Sequence, residues 1–230
     1  MKKITAAVLS LAIVLGLAAC GSQSQESETS GGSGGSDSPV SGGWAINNGN
    51  LSMSANPDVL AAFEKAAEGL DGYVYEPLVL LGNQVVAGMN YQILCRGTAV
   101  APDAVPTFEI VTIYADLEGG AEITNSVALP GLPEDGENLL GGWTVNTGDT
   151  TLDANPEVKT ALETALVGLT GAEYEAAAFL ASQVVAGNNY LTFCRLTPVV
   201  PDPVPSFAVV KIYADLDGNA EITELTDVII

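Results

Sequence analysis

Gln84-Val85-Val86-Ala87-Gly88 recurs unchanged as Gln183-Val184-Val185-Ala186-Gly187, an offset of 99 residues. The same offset holds without a gap for Trp44 and Trp143, Asn56-Pro57 and Asn155-Pro156, Cys95 and Cys194, and Tyr114 and Tyr213. The chain is therefore an internal duplication. Such a period is too long for a solenoid repeat and suits two small domains in tandem, each large enough for a core of its own.

Working outward from the repeated string, each copy reads as one helix followed by several strands. Asn56 is placed to cap a helix, Pro57 suits its first turn, and Val59, Ala62, Phe63, Ala66 and Leu70 recur at helical spacing until Gly69 and Gly72. Asn155, Pro156, Val158, Ala161, Leu162, Ala165, Leu166 and Leu169 repeat the pattern. Strands are expected at 75–86, 90–96, 108–117 and 121–126, with a Pro-rich loop through Pro102 and Pro106. Val111, Ile113, Ala115 and Leu117 alternate onto one face that would meet the helix, as would Val210, Ile212, Ala214 and Leu216. The expected class is α+β, one helix on an antiparallel meander in each copy.

The repeated string falls at the tip of the first hairpin. Short β-turns usually carry Asn, Asp and Gly at exposed positions, and here they carry Val, Val and Ala. Two readings follow: an apolar wedge offered to a partner, or valines packed normally within the strand.

The start of the chain speaks to compartment. Lys2-Lys3, an apolar stretch over 4–17 and Leu17-Ala18-Ala19-Cys20 resemble a bacterial lipoprotein signal, with Cys20 where the family places its lipidated cysteine. The apolar run is shorter than the roughly 20 residues that span a bilayer. Residues 21–43 are then rich in Ser, Gly, Gln and Glu and bury no core. As a tether they would have an r.m.s. span of roughly 25–29 Å. The organisation expected is signal peptide 1–20, tether 21–41, domain 42–129, linker 130–140 and domain 141–230, held to a membrane of the bacterial envelope through Cys20.

Composition excludes several function classes. A net charge of −21, more negative once Lys2 and Lys3 are removed, repels nucleic acid and offers no means of releasing its counterions. Its simplest role is solubility. The chain has no histidine, so Ser-His-Asp and Cys-His hydrolase sites and His-rich zinc sites are ruled out. Neither a phosphate loop nor a nucleophile elbow is found. A carboxylate-only enzyme remains conceivable, but with 28 acidic residues no pair stands out. Neither enzyme activity nor a cofactor is expected, and no metal: Asp215-Leu216-Asp217-Gly218-Asn219 places its glycine too early for a calcium loop and reads as a hairpin turn.

Gln84-Val85-Val86-Ala87-Gly88-Met89-Asn90-Tyr91 and Gln183-Val184-Val185-Ala186-Gly187-Asn188-Asn189-Tyr190, behind a helix and ahead of Ile113-Tyr114 and Ile212-Tyr213, resemble the cystatins, inhibitors of papain-like cysteine proteases. The resemblance covers both copies. It implies a three-part wedge: an N-terminal glycine, the Gln-Val-Val-Ala-Gly hairpin and a second hairpin bearing Pro-Trp. Gly42, Gly43, Gly141 and Gly142 are candidates for the first part, although they lie farther ahead of the helix than the family's pattern has it. The second hairpin reads Asp116-Leu117-Glu118-Gly119 and Asp215-Leu216-Asp217-Gly218, without Pro-Trp. That loss of an aromatic anchor implies weak inhibition or an unusual target. With one cysteine per copy, Cys95 and Cys194 cannot pair within a domain, as in the disulfide-free stefins, and are expected as buried thiols.

The function expected from these residues is occlusion of a papain-like protease cleft by Gln84, Val85, Val86, Ala87 and Gly88 and by Gln183, Val184, Val185, Ala186 and Gly187. The alternative is a non-inhibitory cystatin-like fold serving as a cell-surface binding or scaffold lipoprotein.

Overall fold

Strand pairing, not helix packing, dominates the architecture. A computed structural model describes residues 42–132 and 142–230; Cys20, the tether, Gly141 and most of the linker lie outside the described residues. The first repeat runs β1 (Trp44–Ile46), a 3-10 turn (Met53–Ala55), α1 (Pro57–Ala67), β2 (Tyr73–Val86), β3 (Gly88–Ala99), β4 (Thr107–Ala115) and β5 (Ala121–Ala128). The second runs β6 (Trp143–Val145), α2 (Pro156–Ala165), β7 (Ala172–Val185), β8 (Gly187–Pro198), β9 (Ser206–Ala214) and β10 (Ala220–Val228). Each repeat makes one five-stranded antiparallel sheet in chain order, with its helix inserted between the first two strands. The class is α+β, mostly sheet.

The helices form where their apolar stripes recur. Val59, Phe63 and Ala66 of α1 are buried against Leu80, Ile93, Val111 and Ile113 of the first sheet. Val158, Ala161, Leu162 and Ala165 of α2 sit against Phe179, Val210 and Ile212 of the second. Leu70 and Leu169 lie beyond the helix ends and are exposed, so the expected stripe runs one turn too far. Asn56 and Asn155 precede the helices but do not cap them with their side chains. Their Nδ2 atoms donate instead to Asn50 and Ser52 carbonyls and to Asp149 and Thr151 carbonyls, tying down the preceding loop.

A further core lies between the sheets. Val79, Leu81, Leu94, Phe108 and Ile110 of the first repeat pack with Ala178, Leu180, Leu191, Phe193, Phe207 and Val209 of the second. The layers are helix, sheet, sheet, helix, and both repeats belong to one compact unit. Burial on both faces explains the unbroken apolar runs Leu78-Val79-Leu80-Leu81 and Ala176-Ala177-Ala178-Phe179-Leu180-Ala181, where a half-exposed strand would alternate. Matching register shifts at Pro77/Val79 and Leu80/Gly82, and at Ala176/Ala178 and Phe179/Ala181, bend β2 and β7.

A reciprocal clasp joins the repeats. Arg96 Nη1 donates to the carbonyls of Asn146 (3.0 Å) and Gly148 (2.6 Å), and Arg195 Nη1 donates to those of Asn47 and Gly49, both at 2.8 Å. Glu76 and Glu175 orient the two guanidinium groups from the neighbouring strand. Residue i on one side meets j on the other and the reverse, the signature of two-fold packing.

Further contacts fix how the sheets run. The end where β2 turns into β3 is the tip of the first sheet, and the β3–β4 loop marks its base. Gly82, in the tip half, has Ile230 Cδ1 at 3.3 Å from where a Cβ would stand, and Ile230 follows the base end of β10. Val145 and Ala181, in the tip half of the second sheet, line a groove with Pro106, Thr107 and Phe108 at the base of the first. Tip therefore lies against base, and the two tips are at opposite ends of the sandwich.

Candidate functional site at the sheet tips

The repeated string forms a tight turn. Gln84 pairs with Asn90, Val85 with Met89 and Val86 with Gly88, leaving Ala87 at the apex. The second repeat pairs Gln183 with Asn189, Val184 with Asn188 and Val185 with Gly187 around Ala186.

Bracing accounts for the outer residues of the string. Gln84 Oε1 accepts from Asn90 Nδ2 at 2.7 Å, and Gln183 Oε1 from Asn189 Nδ2 at 2.7 Å. Gly88 has φ +125°, and a Cβ there would stand 2.3 Å from the carbonyl oxygen of Ala115; at Gly187, with φ +118°, the figure is 2.2 Å to Ala214. No side chain fits that approach. Tyr114 and Tyr213 then donate their hydroxyls to the apex carbonyls of Ala87 and Ala186, the latter at 2.6 Å. Gln, Gly, Asn and the downstream Tyr hold the turn, and Val-Val-Ala is what it presents.

Exposure separates the two readings of the valines. Val86 is 41% exposed, Val185 42% and Val184 78%, while Val85 is half-buried. Val86 and Ala87, and Val184, Val185 and Ala186, are at the surface, while the closing Gly88 and Gly187 are buried.

Three of the four candidate N-terminal glycines fall among the described residues. Gly42 donates its N–H to the Val85 carbonyl at 3.2 Å and accepts from Gln84 Nε2 at 3.0 Å, so it lies beside the tip despite its distance from the helix in sequence. Gly43 is exposed between Gly42 and Trp44, which pairs with Gln84. Gly142 is exposed and leads into Trp143, which pairs with Gln183; Gly141 lies outside the described residues.

The β4–β5 turn stands at the same end, since Met89, next to Gly88, pairs with Ala115, and Ala115 pairs with Ala121. Leu117 is not on the helix-facing surface as expected: β4 stops at Ala115, and Leu117 sits in the turn at 85% exposure, with Leu216 at 84%. Asp116 Oδ1 accepts from the N–H groups of Glu118 (2.7 Å) and Gly120 (2.8 Å). Asp215 Oδ1 accepts from those of Asp217 (2.9 Å) and Asn219 (2.8 Å), and its Oδ2 from Asn219 Nδ2. These bonds, Gly120 N–H foremost for Asp116 and the Asn219 side chain for Asp215, hold both carboxyls below the usual carboxylate range. Each carboxylate is occupied with its own turn, which is the plain hairpin the sequence suggests. Among the described residues no three side chains converge as metal ligands.

Each tip thus places a Val-Val-Ala turn beside an exposed leucine, with Gly42 alongside in the first repeat. The leucines escaped sequence reading because strand alternation was carried past the strand end; the signal available was the Asp-Leu-x-Gly turn chemistry itself.

Away from the tips, two features look chemical. Glu109 accepts hydrogen bonds from Tyr73, Tyr75 (2.9 Å), Thr107 (2.8 Å) and Ser126. Burial pulls its pKa upward, but those hydroxyls outweigh it and hold the carboxyl below its usual range, while burial and Glu109 push Tyr73 up to about 12. The second repeat has Ala172, Tyr174, Ser206, Ala208 and Leu225 at the matching positions. Cys95 and Cys194 are free and buried, each under its own helix in a separate cluster. Burial raises both thiols, Cys194 to about 12, so they are inert as nucleophiles.

No protein-family model matches the chain and no curated protein sequence matches it, so the site rests on the geometry of its own residues.

Proposed function

We propose that the protein is a non-enzymatic inhibitor of papain-like cysteine proteases, a tandem cystatin-like chain whose tips enter the target's cleft. The observation that carries the reading is the braced turn: the same Val-Val-Ala is presented twice, held by the same Gln-Asn pair, Gly and Tyr. An apolar turn stabilised in water from beneath is suited to desolvation against apolar cleft walls. Leu117 and Leu216 occupy the place of the absent Pro-Trp and supply an apolar contact there.

Inhibition is by occlusion. Ala87 and Ala186 sit at turns whose carbonyls are already hydrogen-bonded to tyrosines, so the backbone does not extend into a cleavable strand. Neither metal nor cofactor takes part, and the acidic chain has no nucleic-acid partner. Lipidation at Cys20 would hold the protein on the envelope membrane, a location that Cys20→Ser should abolish in a fractionation of cells.

A second reading, a non-inhibitory surface-binding or scaffold lipoprotein, draws on the missing aromatic at the second hairpin. Titration of papain activity decides between them. The parent is expected to inhibit saturably, and a chain with Val85, Val86, Val184 and Val185 all changed to Asp to lose inhibition while keeping its circular dichroism. Absence of inhibition by folded parent, against papain and related proteases, leaves the scaffold reading.

A further inference from the structure

We infer that the molecule is a two-ended bridge, binding two protease molecules at once, one on each tip. This rests on the proposed inhibitory function and adds its stoichiometry and geometry.

Three observations carry it. The tips carry the same five residues with the same Gln-Asn and Tyr hydrogen bonds, so one class of target suits both ends. Each is formed within its own sheet, since the described bonds that brace the first tip come from the first repeat and those that brace the second from the second. The sheets pack tip against base, as Ile230 beside Gly82 and Val145 beside the base of the first sheet require.

Strand length sets the separation. β2 and β7 are 14 residues each, so a sheet is on the order of 40 Å long and the tips stand about that far apart at opposite ends. Two globular partners approaching along opposite directions do not collide. A fixed sandwich also prevents both tips from entering adjacent sites on one face of a single target, so the second repeat adds a second partner and no avidity toward the first.

The ends are alike but not identical: Met89 flanks the first tip where Asn188 flanks the second, and Val85 is half-buried where Val184 is 78% exposed. Unequal affinities are therefore expected, with both sites filled at saturation.

Sedimentation velocity of the mature chain carrying Cys20→Ser with excess papain gives the test. Parent should carry two papain molecules; Val85→Asp with Val86→Asp should carry one; Val184→Asp with Val185→Asp should carry one; the four-fold variant none. Parent that binds one papain, lost on mutating a single tip, overturns the bridge and leaves inhibition standing. No binding by parent overturns both. The geometry is read separately by placing spin labels at Leu117→Cys and Leu216→Cys, which the buried Cys95 and Cys194 do not confuse. A distance of about 40 Å or more is expected, and one below about 25 Å would put the tips side by side and overturn the inference whatever papain does.

Discussion

Gly88 shows how much of the repeated string is architecture. Its positive φ and the 2.3 Å approach of a Cβ to the Ala115 carbonyl leave room for glycine alone. Gly88→Ala is expected to cost on the order of 1–3 kcal/mol in urea unfolding and to weaken the first tip only. An unchanged midpoint would mean that the turn relaxes freely. Glu109 makes a pH-dependent contribution. Because its folded pKa is lowered, that stability is full above the unfolded value of about 4.3 and is lost as pH falls through the folded one. The gap in urea midpoint between parent and Glu109→Gln should shrink as neutral solution is acidified below about 4.3. A gap that stays constant or widens contradicts the network.

At the scale of elements, the clasp between repeats is the feature with the clearest energetic consequence. Each arginine donates to two carbonyls of the opposite repeat from a mostly buried side chain, so Arg96→Ala and Arg195→Ala should each cost about 1.5–3 kcal/mol. Glu76 and Glu175 are half-exposed, and removing either should matter less. Equal effects of Arg96→Ala and Glu76→Ala would count against the clasp. Nothing in the sequence announced this contact, because an arginine reaching another repeat's backbone leaves no periodic trace. The helices were legible, since the stripe from Val59 to Ala66 has one period and one partner. Asn56 holds the N-cap position the sequence suggests, but its side chain bonds carbonyls of the loop behind it in place of the helix N–H groups ahead. Leu117 was misread because alternation continues in sequence after the ladder has ended at Ala115. The tip was legible as a string, while the reason for its Gln, Asn and Tyr required the register.

For the whole molecule, the shared core changes what a repeat is. Leu81, Leu94 and Phe108 are buried between the sheets, and burying each side chain is worth about 1.5–3 kcal/mol, so neither repeat is expected to be stable with that face in water. Each repeat holds one tryptophan. Trp44→Phe and Trp143→Phe chains, followed by fluorescence, should therefore unfold at coincident midpoints in urea; well-separated midpoints would show two independent domains. On the proposed function the two opposed tips occupy clefts, and cleft occupancy is measurable at the target. The rate at which iodoacetamide alkylates the papain catalytic thiol should fall severalfold under saturating protein and recover with the four-valine aspartate variant. A rate unaffected by saturating, folded protein would contradict entry of the tips into the cleft.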